Sequence, residues 1–321
     1  MGLKENILEL LSSKSGEFVS GEYIAGLYNV SRNSIWKAVN ALRKKGYIIN
    51  AIQNKGYILE YNDVFEAQEI NKYMQASLAL EYIPEVSSTN DIIMELGKNN
   101  EKEGKVVVSN YQSAGRGRKG RIFYSPENTG IYFSILLRPN IHFSKALFIT
   151  TAAAVSVCLA FEELYNINPN IKWVNDIYYN NKKISGILTE AHIDMESMVI
   201  DYAALGIGVN VFTPQDNFPS ELLNIAGAAF SSNLQSNIIR SKLTAKILDI
   251  FWDNYKKLEQ VLYFQDYIDR SLVTGKNVFI EKQGKKEKAF VKDITKDFKL
   301  HVIYENGYEE ILDSGEVSLL L

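Results

Sequence analysis

Over the first sixty residues the apolar positions fall at helical spacing three times in succession. Leu3, Ile7, Leu10 and Leu11 form the first stripe. "SGEYIAGLYNV" carries the second, with Ser20 placed to cap it, and "NVS" reads as a tight turn. "SRNSIWKAVNALRKKG" carries the third: Ile35, Val39 and Leu42 share a face, Ser31 sits at the N-cap and Gly46 at the stop. "YIINAIQNKGYILE" then predicts two strands around a turn at Asn54–Gly56. Helix, helix-turn-helix and hairpin in that order predict a winged helix-turn-helix over residues 1–62.

A connecting helix is expected over about 64–76. Beyond it, β-rich runs ("KVVVSNYQ", "GIYFSILLRP", "IKWVNDIYYN", "KISGILTEAHI", "YAALGIGVNVF") alternate with helical ones ("TNDIIMELGKN", "SKALFITTAAAVSVCLAFEEL", "RSKLTAKILDIFWDNYKKLEQ"). This predicts an α+β domain with a mixed sheet over 63–270. From 271 to 321 short alternating strands, with turn signals at Gln283–Gly284 and Asn306–Gly307, predict a small β barrel of SH3-like size.

The 321 residues suit two or three domains. A net charge of −3 argues against a wholly basic nucleic-acid binder, so any such function rests on local charge. From Ser31 to Tyr57 there are six basic residues (Arg32, Lys37, Arg43, Lys44, Lys45, Lys55) and no acidic one. That placement, on the third helix and the wing, nominates Ser31, Arg32, Asn33, Trp36, Lys37 and Lys55 for DNA. The alternative is a solvated basic face on a protein-interaction module. A single cysteine, Cys158 in an apolar run, excludes an internal disulfide and fits a cytoplasmic protein. The first residues lack a signal-peptide pattern, and no membrane span is expected. His142, His192 and His301 are scattered, with no zinc-type spacing.

"QSAGRGRKGRIFYSP" (112–126) spells G-x-G-x-x-G with Gly115, Gly117 and Gly120. A dinucleotide fingerprint needs a helix next, but Pro126, Gly130 and another strand follow. A Walker loop would end in Lys-Ser/Thr, where Arg121–Ile122 stands. What remains is a loop with permanently charged donors, Arg116, Arg118 and Arg121, suited to phosphate or carboxylate. Read alone, it could equally be a flexible basic surface loop.

Four more stretches narrow the choice. "EVSSTND" (85–91), "IKWVNDIYYNNKKISGILTE" (171–190), "GIGVN" (206–210) and "GRGRKGR" occur in an order that resembles the signature of biotin protein ligases. The N-terminal unit resembles that of the bifunctional members, which repress biotin genes. Val174 stands where the family usually has proline, and Phe123 where many bacterial relatives have tryptophan.

The resemblance implies a ligase domain related to class II aminoacyl-tRNA synthetases. It implies ATP, biotin and Mg²⁺, formation of biotinoyl-AMP, and transfer to a lysine of a biotin carboxyl carrier domain. It places Arg116, Arg118 and Lys183 at the reacting carboxylate and phosphate. Ser88, Thr89, Asn90 and Gln112 would meet the ureido ring, and Gly115, Gly186 and Gly206 would let backbone approach it. Arg121, Phe123, Asn175, Asp176 and Asn210 would meet the nucleotide, with Asp176 also towards Mg²⁺. Ser88 can instead cap the following helix, and Trp173 can be wall or core. The resemblance further implies operator binding by a homodimer formed on the adenylate. No covalent nucleophile is visible. Two alternatives remain: a metabolite-sensing regulator without ligase activity, and a lipoate-type ligase.

Overall fold

A computed structural model describes residues 2–14, 16–44, 47–61, 63–231, 239–282, 285–313 and 315–319. Lys45, Gly46 and the Gln283–Gly284 turn lie outside the described residues. The chain divides into two compact units, one running to Phe65 and including Ile239–Ser241, the other taking Glu66–Ser231 and Lys242 onward.

The first unit contains α1 (Leu3–Ser13), α2 (Gly21–Tyr28), α3 (Arg32–Lys44), β1 (Ile48–Ile52) and β2 (Gly56–Tyr61). Of the predicted apolar positions, Ile7, Leu11, Ile35, Val39 and Leu42 are buried and pack with Ile24 and with Ile49 and Leu59 of the hairpin, while Leu3 and Leu10 are partly buried at the edge of this core. Both predicted caps are made. Ser20 Oγ accepts from Tyr23 N at 3.1 Å, and Ser31 Oγ from Ser34 N at 3.1 Å. Asn29 ends α2 in the left-handed region (φ 50°), which asparagine tolerates. Val19 bridges Tyr57 and so adds a third edge to the wing. At its border a fully buried Asp63–Arg240 ion pair forms, with the guanidinium 4.7 Å over Phe65.

The second unit opens with α4 (Ala67–Tyr73), shorter than the expected 64–76. It continues with β3 (Ala79–Tyr82), β4 (Glu85–Val86), α5 (Thr89–Lys98), β5 (Lys105–Ser109), β6 (Tyr111–Gln112), β7 (Gly130–Leu137) and α6 (Ala146–Tyr165). The β-rich run "IKWVNDIYYN" forms two strands, β8 (Asn170–Lys172) and β9 (Asp176–Tyr179), joined by a turn that carries Asn175. β10 (Lys182–Asp194) and β11 (Val199–Asn210) form the long hairpin of the sheet. The seven strands run β3-β5-β7-β11-β10-β9-β8, antiparallel except β3–β5. α5 packs on one face, where Ile93 meets Val107, Leu136, Tyr202 and Ala204. Thr150 of α6 meets Thr189, whose side chain alternates to the other face.

Residues Phe143–Tyr165 are long and apolar enough to cross a membrane by length and composition. Within this unit they are the core helix, 67% buried over their most apolar window. A helix that is apolar all round is what burial on every side requires. Cys158 lies inside α6, where burial pushes its thiol up to about 12, so it is not a thiolate at neutral pH.

α7 (Arg240–Tyr255) and α8 (Phe264–Asp269) follow. The chain after α8 then pairs with β8 through Leu272 N to Ile171 O at 2.8 Å. β12 (Asn277–Lys282), β13 (Lys285–Ile294), β14 (Leu300–Tyr304), β15 (Glu309–Leu312) and β16 (Glu316–Leu319) make an antiparallel five-stranded sheet in the order β15-β14-β13-β12-β16. Phe298 anchors it, ringed by Phe148, Tyr263, Phe264 and Tyr267 at 5.1–5.8 Å.

Candidate functional site

Strand alternation decides which side chains share the face covered by α5. On β10 these are Gly186, Leu188 and Glu190; on β11, Gly206 and Gly208; on β7, Ser134, which pairs with Gly206. Glycines keep this part of the face low, and the other elements close over it. A cavity of about 950 Å³ results, at the upper end of ordinary ligand-site sizes.

One end is a buried polar network. Ser88, Thr89 and Asn90 are each 3% exposed. Thr89 N donates to Gln112 Oε1 at 2.9 Å, and the Thr89 hydroxyl lies 2.7 Å from Ser134 Oγ. Ser134 Oγ donates to Asn90 Oδ1 at 2.5 Å, and Asn90 Nδ2 donates to Glu190 Oε2 at 2.7 Å. Gln112 Nε2 donates to Ser125 Oγ at 3.0 Å. Such a network is rigid because each member would otherwise be left buried without a partner. Ser88 occupies the N-cap of α5 but makes no side-chain cap bond, so the capping alternative is corrected. Its side chain lines the cavity instead.

The Arg-rich stretch is a small hairpin. Phe123 N donates to Gly115 O at 2.8 Å, Gly117 N to Arg121 O at 2.7 Å, and Arg118–Gly120 form the turn. Here the expected role of Gly115 is corrected. A Cβ there would stand 2.5 Å from Phe123 O, so its smallness lets the two arms of the hairpin meet. Gly206 likewise makes room for a protein group: a Cβ would lie 2.3 Å from Asn90 Oδ1. The Phe123 ring lies on the glycine platform, where a Cβ on Gly208 would reach within 2.4 Å of it.

The middle of the cavity is charged. Lys183 Nζ lies 2.6 Å from Asp176 Oδ1, and Arg118 Nη1 donates to Asn175 Oδ1 at 3.1 Å. Asn175 is fixed by its Nδ2 donating to Ile187 O at 2.8 Å. Arg116 Nη1 is 2.5 Å from Asp91 Oδ1. Burial opposes the Arg116 charge, but bonds to Asp91 and Glu190 outweigh it and hold the guanidinium above its ordinary value. Tyr178 is pushed up to about 12, by burial first and then by Asp176, so it is a neutral phenol there. Trp173 is both wall and core: it lines the cavity while its indole N–H donates to Phe298 O at 2.8 Å. Asn210 Nδ2 donates to Gly227 O at 3.1 Å.

Among the described residues, eight basic side chains line the cavity against two carboxylates, Asp176 and Glu281. A surplus of that size suits a polyanion. Of the expected residues, Gly115 alone is not a lining residue. The sequence reading missed Ser134, Tyr124, Phe133, Leu188, Lys172 and Lys276. It also missed Asp91 and Glu190, which hold Arg116. Glu190 had a signal: it shares the β10 alternation with Gly186 and Leu188. No group of three or more His, Cys, Asp or Glu able to hold a metal occurs among the described residues.

On the first unit, Ser31, Arg32, Asn33, Trp36, Lys37 and Lys55 are all exposed, with Trp36 at 55%. Arg32 pairs with Glu22 at 3.2 Å, and Lys55 lies 5.7 Å from the Phe18 ring centre. Arg43 serves structure instead, its Nε donating to Ile49 O at 2.7 Å.

Comparison with known proteins agrees with this division of labour. Residues 82–210 match the Biotin/lipoate A/B protein ligase family, and residues 4–58 match an HTH domain. A relative called Bifunctional ligase/repressor BirA, from Bacillus spizizenii, is 36% identical over 79% of this chain and 78% of its own length. The Escherichia coli protein of the same name is 30% identical over 55% of this chain and 54% of its own. A structure described as biotin protein ligase from Aquifex aeolicus in complex with biotin and ATP aligns with a TM-score of 0.62. It is 28% identical and covers 75% of this chain and 98% of that one. The chain therefore belongs to the biotin protein ligase family, as one of its bifunctional ligase/repressors.

Proposed function

We propose that this chain joins biotin to ATP, holds biotinoyl-AMP without a covalent bond to itself, and passes biotin to a lysine of a carrier domain. Its N-terminal unit represses biotin genes under control of that adenylate. The observation that carries the enzymatic reading is the cavity: a buried polar network at one end is continuous with a strongly basic middle. Biotin presents a neutral ureido ring and, at the far end of its tail, a carboxylate. A cavity polar at one end and cationic beyond it matches that order.

The chemistry brings two anions together, a carboxylate and an α-phosphate. Lys183 and Arg118 supply the charge that offsets their repulsion, and Asn175 aims Arg118. Gln112 and Thr89 orient the polar end, Phe123 offers an aromatic wall for the base, and Asn210, Asp176 and Arg121 face the nucleotide. A carboxylate beside the basic middle of the cavity suits Mg²⁺, which takes few protein ligands and completes its shell with phosphates and water. Asp176 would hold it, and the ion would supply charge neutralisation on the phosphates.

The regulatory reading rests on the exposed basic face of α3 and the wing. Three domains are proposed, 1–62, 63–270 and 271–321. The last is an SH3-like barrel, and the central one is related to class II aminoacyl-tRNA synthetases. A cytoplasmic location accompanies this reading. A homodimer formed on the adenylate presents two α3 helices to a two-fold-symmetric operator. Operator binding should fall steeply with salt, with a log–log slope of about −0.9 per phosphate contact. Biotin with ATP should tighten it, and unbiotinylated carrier should reverse the effect. Gel-shift titration checks this; an operator affinity indifferent to biotin and ATP removes the regulatory half. Incubation with ATP, Mg²⁺, biotin and a carrier domain, read by intact mass, checks the ligase half. An unmodified carrier would refute it.

A further inference from the structure

Two carboxylates beside the cavity have no part in the chemistry above. Asp91 lies in the first turn of α5, one residue past Asn90, and Glu190 lies on β10. Neither is a lining residue of the cavity. Between them they take both ends of one guanidinium: Arg116 Nη1 is 2.5 Å from Asp91 Oδ1, and Nη2 is 3.2 Å from Glu190 Oε2. Glu190 Oε2 also accepts from Asn90 Nδ2 at 2.7 Å. Asn90 Oδ1 accepts from Ser134, and Ser134 meets Thr89. A continuous path of hydrogen bonds thus joins the Arg-rich hairpin to the polar end of the cavity.

The arrangement changes what Arg116 can do. Two carboxylates on one guanidinium leave that corner with surplus negative charge, which disfavours a third anion there. Arg118 and Lys183 are placed differently. One meets a neutral amide and the other a single carboxylate, so both keep attraction for a substrate anion. Arg116 is thus committed to protein, while Arg118 and Lys183 remain available to substrate.

On the ligase reading of this cavity, we propose that Asp91 and Glu190 are positioning residues that tether Arg116 and so hold the hairpin closed over the bound adenylate. Arg116 acts as the hairpin's anchor rather than as a clamp on the reacting anions. The tether governs how long the intermediate stays, while its formation depends on Arg118 and Lys183. Because Glu190 also holds Asn90, an ordered polar end and a closed hairpin reinforce one another.

The test uses Asp91→Asn, Glu190→Gln and their combination in the full chain. Glutamine at 190 keeps an oxygen for Asn90 while removing the charge that Arg116 needs. Adenylate dissociation, followed by chase with excess unlabelled biotin, should be about tenfold faster in the double variant, the scale of one lost charge-assisted contact. Single-turnover adenylate formation should stay within about twofold in Asp91→Asn alone, which leaves the Glu190–Asn90 bond and the contacts that act in the transition state in place. Adding Arg116→Gln to the double variant should accelerate escape no further, because members of one network do not add. Trypsin should nick the hairpin of the ligand-free double variant faster than that of the wild type. An unchanged adenylate lifetime, or Arg116→Gln slowing formation where Asp91→Asn does not, overturns the tether. A wild type that makes no adenylate overturns the ligase reading, and the trypsin comparison still decides whether the tether exists.

Discussion

Lys183→Ala is expected to slow biotin-dependent adenylate formation by about a hundredfold or more, the usual cost of about 3 kcal/mol for one lost transition-state contact. The fold should survive. Lys183 is tied into the sheet through its backbone, its N–H to Ile225 O at 2.9 Å and its carbonyl to Gly227 N at 3.0 Å, and alanine keeps both bonds. The side chain gives up one ion pair with Asp176, both partners about a quarter exposed, and such pairs contribute about 1 kcal/mol or less. Pyrophosphate release in the presence of biotin and ATP reads the first effect, and a thermal melt reads the second. Near-normal release would remove Lys183 from the chemistry. A large drop in melting temperature would mean the loss came through folding.

Gly206→Ala is expected to abolish useful biotin binding by disturbing the polar end rather than by filling the cavity. The new Cβ would stand 2.3 Å from Asn90 Oδ1. Asn90 cannot step aside cheaply, because Ser134 donates to that oxygen and Glu190 and Leu188 accept from its amide nitrogen. Moving it leaves buried polar atoms without partners, at about 1–3 kcal/mol each. We expect a stability loss of that order and biotin affinity weaker by about a hundredfold. Isothermal titration with biotin and urea denaturation check the two together. Adding Asn90→Ser should relieve the clash and recover stability while leaving biotin affinity low. Wild-type affinity in Gly206→Ala would show that Asn90 and its partners do not shape the biotin end.

The N-terminal unit was readable because its signals are local. Ser20 and Ser31 cap helices three residues away, and Ile35, Val39 and Leu42 declare a face by spacing alone. The individual strands of the central sheet were readable for the same reason. Their order was not: β3 pairs with β5 and β7 with β11, and nothing within a strand names so distant a neighbour. Thus "IKWVNDIYYN" shows no local break at Trp173–Asn175, and α6 shows no amphipathic face because it is buried on nearly every side.

The candidate site divides in the same way. The types of its charged and amide residues were visible, since a charged group or an amide declares its chemistry by itself. What each one touches was not. Gly206 is small on account of Asn90, and Gly115 on account of Phe123. Arg116 reads as a free cation in "GRGRKGR", yet its partners lie at Asp91 and Glu190, joined only when α5, β10 and the hairpin converge. Ser134 sits in the apolar strand "GIYFSILL" and gives no sign that it supports two polar residues of the cavity, Thr89 and Asn90, from beneath.

On the proposed mechanism, one cavity makes biotinoyl-AMP and keeps it without a covalent link. Native mass spectrometry of the wild type after incubation with biotin, ATP and Mg²⁺ tests it most directly. The expected result is one biotinoyl-AMP per chain, lost on denaturation to leave a chain of unaltered mass, and no such species with lipoate in place of biotin. Recovery of unreacted biotin and ATP, or a modification that survives denaturation as the route to the carrier, would contradict it.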